Sequence, residues 1–506
     1  MTTADRPATA ARRPATAWAL ESAAFSATMV ARRLPWTDAP ARALGLDALT
    51  RDGLTRLLFA HLRRSRSGRP VRLRTPYGTF LVPLTSGDVA GLLTRADEAG
   101  VLEPAAGLTP GGQRYGLSPH APLDREAAAA PAADPQAVAA LDALLAEDVD
   151  RAITARRGDG TLEWHAWYRA TLRLSRRVVA GEGAAPDTLL SEVIAVATAA
   201  AGERSYEAGS AALRRRLELH LADPDSASLA GRLMARGADP HAAVPALAHT
   251  LALVSEAAAG TALQALALLA AGAAASPRDA VGEALRRFPP VAAAVYPVRA
   301  PFVWEDLAVG AGTEILRAPG WLRGRDETGD PDPDPAPAAL CGAPAGCAAA
   351  RFAALVAEAV VRAVTARVRP VLIAPDLRAD RLPDTLDPRT LLVALEDLPC
   401  REDQSGRSAD SSAGNGSAGD GRVTGGAATA VPVSAHGYAP ASYGALAHAG
   451  ADRLERHAAS LAACAGRSGW NEDEAGERFR MVLLGHAERC ARAADGVRRA
   501  AKHLSD

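Results

Sequence analysis

The residue best equipped for chemistry is Cys347. It ends the run Gly342-Ala343-Pro344-Ala345-Gly346, which carries almost no side-chain bulk, and it precedes an apolar stretch that reads as a helix to about Arg367. A backbone this bare can lie flat against a large planar group. Amides at the start of the helix point at the sulfur, and the helix dipole favours thiolate over thiol. A soft anionic ligand held in this way suits iron. The same residues also fit a plainer reading, a small buried cysteine in an alanine-rich core.

A second constellation lies upstream. Glu283 and Arg286 stand three apart on one helical face, followed by Arg287-Phe288-Pro289-Pro290, where prolines stop the helix. Such a pair alone is common on surface helices. Beyond it come Val298-Arg299 and the segment Trp304 to Leu316, which reads as strands. Gly310-Ala311-Gly312 lacks the third glycine of a dinucleotide loop, and a hairpin is expected there.

Taken together, these residues resemble the cytochrome P-450 (heme-thiolate monooxygenase) family, as a divergent member of actinobacterial type. Glu283-x-x-Arg286 resembles the K-helix pair that anchors the heme-binding loop, and Gly342 to Cys347 resembles that loop with small residues exchanged. Leu340, Ala345 and Ala349 stand where the family commonly has Phe, a basic residue and Gly. The resemblance covers Arg72 to Leu398. It implies that Cys347 ligates the iron of heme b and that Arg299 holds a propionate. Arg125 or His120 is implied as a second propionate partner.

The resemblance also points to Ser255 to Thr261 on the long central helix as the oxygen-activating kink. An acid usually precedes the Thr there, but Gly260 fills that place, and Glu256 lies five residues before Thr261. Either Glu256 and ordered water supply the proton to Thr261, or the usual oxygen cleavage does not occur. Thr261 also fits a back-bonded helix residue. The meander between Leu316 and Leu340 carries an acidic Pro-rich loop where the family has an Arg, with Arg325 the nearest substitute.

The function so implied is a heme-dependent oxidoreductase, a monooxygenase or oxidase acting on a small apolar or secondary-metabolite substrate. Its electrons would come from ferredoxin and ferredoxin reductase, or peroxide would serve directly. The alternative is a degenerate, non-catalytic family member that acts as partner or activator of another enzyme, through its surface or its C-terminal helices.

The elements that position these residues read as a mainly α fold with a small β part, the cytochrome P-450 fold plus a C-terminal helical hairpin. Residues 1–17 read as disordered, 18–400 as the heme domain, 401–440 as a flexible Ser/Gly/Asp/Ala-rich linker and 441–506 as the hairpin. Val71 to Pro83 alternates and turns at Pro76-Tyr77-Gly78, a β-hairpin, and Ser86 to Val89 opens a helix. Residues 127–135 read as an Ala/Pro connection, and a helix is expected from about Gln136 to Arg156. Trp164, His165 and Trp167 read as packing residues rather than catalytic ones. Val371 to Ala374 and Leu386 to Leu395 read as terminal strands. Asn471 is a plausible N-cap, while His486, Cys490 and Cys464 offer a weak metal pattern in which a solvated surface is the better reading.

Composition sets outer bounds. Over 506 residues, 57 Lys plus Arg balance 58 Asp plus Glu, so no global field draws nucleic acid or an anionic membrane. Five scattered cysteines, at 341, 347, 400, 464 and 490, suit a reducing compartment better than a disulfide frame. The longest apolar run, Val244 to Ala275, is broken by His249, Glu256 and Gln264 and reads as too weakly hydrophobic to span a bilayer. A cytoplasmic protein with no membrane or nucleic-acid partner is expected.

Overall fold

The structure is a computed structural model. It describes residues 13–31, 49–76, 78–103, 105–108, 114–116, 123–133, 135–155, 160–162, 164–199, 206–322, 335–344, 346–380 and 382–398, most of 451–466, and 474–505. His120, Arg325, Cys464, Asn471, the His486 side chain and the expected linker lie outside the described residues. The chain forms two compact units, Met1–Leu398 and Pro399–Asp506.

In the first unit the alternating segments form a sheet. β1 (Ala15–Thr16), β2 (Val71–Thr75), β3 (Gly78–Val82), β4 (Ala106–Leu108), β5 (Arg114–Gly116), β6 (Ala293–Pro297) and β9 (Thr313–Arg317) pair in the order β1-β2-β3-β9-β6-β4-β5. Period-two alternation sends neighbouring residues to opposite faces. Phe80, Val82, Val295 and Leu316 pack with Phe25 of α1 (Ala19–Ala31) and Phe59 of α2 (Arg51–Ser65). Leu81, Tyr296 and Ile315 pack on the other face with Leu92 and Leu93 of α3 (Ser86–Glu98).

The helices form the larger part. α5 (Pro135–Thr154), α6 (Trp164–Ala180), α10 (Pro240–Ala270) and α13 (Ala348–Thr365) pack as a bundle. Asp148 of α5, buried, lies 3.0 Å from Arg173 and 3.3 Å from Arg177 of α6, which ties those helices together. α10 is long and apolar enough by composition to cross a membrane, contrary to the reading from its polar interruptions. Its most apolar window is 83% buried inside the protein, however, so it is a core helix.

Several boundaries differ from the sequence reading, each for a local reason. Ala15–Thr16 already pairs in parallel with Val71–Arg72, so described structure begins ahead of Trp18. The Ala/Pro stretch is helical: α4 (Arg125–Ala133) starts on Asp124, whose carboxylate accepts from the amides of Glu126 and Ala127, and its alanines favour helix despite Pro131. α3 is capped by Thr85, one residue earlier than Ser86.

The hairpin between β7 (Phe302–Trp304) and β8 (Leu307–Val309) turns at Glu305-Asp306, with Glu305 at φ 52°. Gly310 to Gly312 instead connects β8 to β9, where Gly312 takes φ 74°. β10 (Val368–Ala374) pairs with β11 (Leu392–Asp397), so the second terminal strand begins later than Leu386.

In the second unit, helical residues 451–466 and α14 (Glu474–Ser505) pair as the expected αα-hairpin. Arg498 reaches Asp452 at 2.8 Å and Glu455 at 2.7 Å, while Ala451, Leu461, Leu483 and Ala494 are buried.

Candidate functional site

The site is built where a loop meets two helices. α12 (Ala336–Leu340) ends at Cys341, and the small-residue loop then runs to Cys347, which is the N-cap of α13. The cap is made by the sulfur, because Cys347 Sγ accepts the Ala350 amide at 3.4 Å. Cys341 Sγ likewise accepts the Ala343 amide at 3.3 Å. Arg317, at the end of β9, donates to the Ala343 carbonyl at 3.1 Å and to the Tyr296 hydroxyl at 3.3 Å, which fixes the middle of the loop.

α10 supplies the opposite wall. Asp239 caps it by accepting the Ala242 amide at 2.9 Å, Pro240 starts it, and the face of Val244, Leu247, Leu251 and Val254 is buried. This register brings His249 against the loop, with Nε2 3.5 Å from Cys341 Sγ and 3.5 Å from Cys347 Sγ. The three side chains are almost wholly shielded from solvent, with exposures of 2% for His249, 2% for Cys341 and 0% for Cys347. Contact with Cys347 and burial push the Cys341 thiol well above its ordinary range, against the Ala343 amide and the Arg317 charge.

The donor set on the protein's side suits a thiolate–iron bond, since the sulfur is anchored by an amide at a helix start and the loop is bare. The other side is closed in this conformation. His249 stands over the sulfur and α10 packs on α13, so a macrocycle at Cys347 and the His249–cysteine contacts exclude one another.

The remaining sequence-predicted residues fall elsewhere. Glu256 and Thr261 bound a π-helical turn, Ala257–Thr261, within α10. They follow His249 by seven and twelve residues, which at 1.5 Å per residue sets them about 10 and 18 Å farther along the helix axis. The part of α10 that faces Cys347 is therefore the turn around His249 and Thr250, not the π turn. Thr261 Oγ1 is buried with no hydrogen-bond partner, so it is not back-bonded. The Glu256 carboxylate folds back beside Gly260, its Oε1 3.6 Å from where a Cβ on Gly260 would sit. Glu256 is exposed by surface area but crowded by its neighbours; desolvation there pushes its carboxyl up, Arg389 opposes it, and solvent screens the effect.

Glu283 pairs with Arg286 at 3.1 Å and also with Arg287. Burial works against its ionisation, but the two guanidiniums outweigh it and hold the carboxyl below its ordinary range. Arg299 is exposed and donates to the Gly100 carbonyl at 3.0 Å, and Arg125 is exposed at the start of α4. Arg125 and Arg286 instead line a recess of about 530 Å³ with Arg278 and Arg351.

Sequence reasoning missed His249 and Cys341 as neighbours of Cys347, and Arg317 with Tyr296 as supports of the loop at Ala343. A histidine interrupting an apolar helix and a second cysteine before the loop were the available signals. It also missed that Trp167 donates to the Ala259 carbonyl at 2.8 Å, inside the π turn that shifts the local hydrogen-bond ladder.

No protein-family model and no curated protein matches this chain. Solved structures of cytochromes P450 do. Retinoic acid bound cyanobacterial CYP120A1 is 14% identical with a TM-score of 0.43, over 67% of this chain and 94% of that one. Mycobacterium marinum cytochrome P450 CYP150A6 in the substrate-free form is 15% identical with a TM-score of 0.44, over 67% and 93%. Cytochrome P450 CYP109Q5 from Chondromyces apiculatus is 19% identical with a TM-score of 0.44, over 68% and 95%. Likeness at this distance carries nothing about cofactor, substrate or activity.

Proposed function

We propose that this chain is a heme-thiolate protein of the cytochrome P-450 type, a monooxygenase or oxidase in which Cys347 would ligate the iron of heme b. The observation that supports it best is the capping of α13 by the Cys347 sulfur, through the Ala350 amide at 3.4 Å. An amide donor and a helix N-terminus both stabilise a thiolate. Bound heme would supply activation of dioxygen or peroxide for attack on a small apolar substrate, with ferredoxin and its reductase as the electron source where dioxygen is used.

The chain's own residues have definable tasks. The Ala350 amide and the dipole of α13 are placed to stabilise a thiolate when the sulfur ligates iron. Glu283, paired with Arg286 and Arg287 on the same helix, stiffens the last turns of α11 (Pro277–Arg287), which packs on α12 and α13 at either end of the loop that presents the sulfur. Thr261 Oγ1, buried and unpartnered, is available to a water or a substrate hydroxyl, and Glu256 beside Gly260 retains a proton to higher pH than a surface glutamate. Arg125 and Arg299 enter this reading as propionate partners. A cytoplasmic role in secondary metabolism belongs to the same reading.

A second reading is favoured by one observation, the 3.5 Å contact of His249 with Cys347. It is the non-catalytic partner or activator protein whose cofactor face has closed. Titration of purified protein with hemin separates the two. Saturable binding of one heme per chain, abolished in Cys347→Ala, is the expected result; no binding by the wild type would leave the partner reading.

A further inference from the structure

We infer that His249, Cys341 and Cys347 form a binding site for one soft divalent cation, of which zinc is the type. The argument begins with geometry. In a tetrahedral zinc site with Zn–S near 2.3 Å and Zn–N near 2.0–2.1 Å, a nitrogen and a sulfur on adjacent corners lie about 3.5 Å apart. Both observed N···S distances are 3.5 Å, and the three ligand atoms all lie within 4.8 Å of one another. Two thiolates and one imidazole are a donor set that zinc takes elsewhere, and they leave one corner open.

Hydrogen bonding explains this arrangement less well. Nε2 carries either one proton or one lone pair, so it engages one sulfur fully and not both. An ion between the three atoms engages all of them. Binding would release the two thiol protons, and the cation would neutralise the paired thiolates that result. The surroundings are those of a metal thiolate: each sulfur accepts a backbone amide, from Ala343 and from Ala350. The ligands come from α10, from the end of α12 and from the start of α13, so the ion would pin the small-residue loop to the central helix.

This site does not rest on the heme reading and is exclusive with it, since both need one atom, Cys347 Sγ. Heme ligation requires Cys347 alone among the three residues, whereas the ion requires all of them. That difference supplies the test. The full-length protein, freed of metal by chelation, is titrated with Zn²⁺, and bound metal and heme are measured per chain for the wild type and for the Cys341→Ser, His249→Ala and Cys347→Ala variants, with far-UV circular dichroism as the folding control.

The expected result is one zinc per wild-type chain. Each variant should bind zinc more weakly by at least the roughly 10–100-fold that loss of a mere outer partner costs. Prior zinc loading should block heme uptake, while Cys341→Ser and His249→Ala chains should still take heme. Three results would overturn the inference: a wild type that binds no zinc, zinc retained in folded Cys341→Ser and His249→Ala chains, or a Cys341–Cys347 disulfide in protein prepared under reducing conditions. Heme uptake without zinc refutes this inference and leaves the heme reading standing; zinc uptake without heme does the reverse.

Discussion

Glu256 shows how a single residue's environment becomes measurable. Its folded-state carboxyl is raised, so its neutral form is favoured in the folded chain. Stability from this group is full below the unfolded value and is lost as pH rises through the folded one. Glu256→Gln should therefore stabilise the protein near neutral pH and make no difference below about pH 4, as chemical denaturation at the two pH values would show. Glu283 has the opposite sign. Its carboxyl is lowered, so its contribution is present above the ordinary glutamate range and fades as pH falls.

At this scale Cys347 was legible, because a run of small residues before a cysteine and a helix is a rare pattern. His249 and Cys341 were not, since each alone looks like a core residue. Only the register of α10 against the loop joins them. An alanine-rich helix gives little in sequence to fix that register, whereas the departure from regular helix expected over Ser255 to Thr261 is present as the π turn Ala257–Thr261.

Elements are held by a few polar contacts, and these make the next predictions. Trp167→Phe would leave the Ala259 carbonyl in the π turn without its indole donor. A buried acceptor left unpaired costs about 1–3 kcal/mol, to be read as a shift in the denaturation midpoint at unchanged slope. Glu283→Gln would weaken the ties to Arg286 and Arg287. Because both pairs lie within one helix and are partly open to solvent, with side-chain exposures of 31% for Arg286, 47% for Arg287 and 24% for Glu283, the loss near neutral pH should be about 0.5–1 kcal/mol.

Element types were readable wherever one period dominated, as in the β2–β3 hairpin, the α11 helix and α13. Boundaries failed where composition was ambiguous. Pro131 made a helix look like a connection, and two glycines at 310 and 312 drew the hairpin turn away from Glu305-Asp306, where a left-handed backbone does the turning.

For the whole molecule, the division into Met1–Leu398 and Pro399–Asp506 implies that the first unit folds without the second. A chain ending at Leu398 should keep the thermal midpoint of the first unit and its cofactor content; loss of either would show that residues 399–506 are part of that fold. The mainly α architecture was legible because long apolar periodicities outnumber alternating ones, and the tail hairpin because two helical patterns follow the Ser/Gly/Asp/Ala-rich segment. What one chain carries at its centre is settled by ligand chemistry, and the most direct test is the absorption spectrum of the reduced protein under carbon monoxide beside Cys347→Ala. The account predicts the red-shifted Soret band of a thiolate-ligated ferrous carbonyl, absent from the variant. A heme-loaded wild type that gives the unshifted band of a neutral ligand, or a variant that keeps the shifted one, would contradict it.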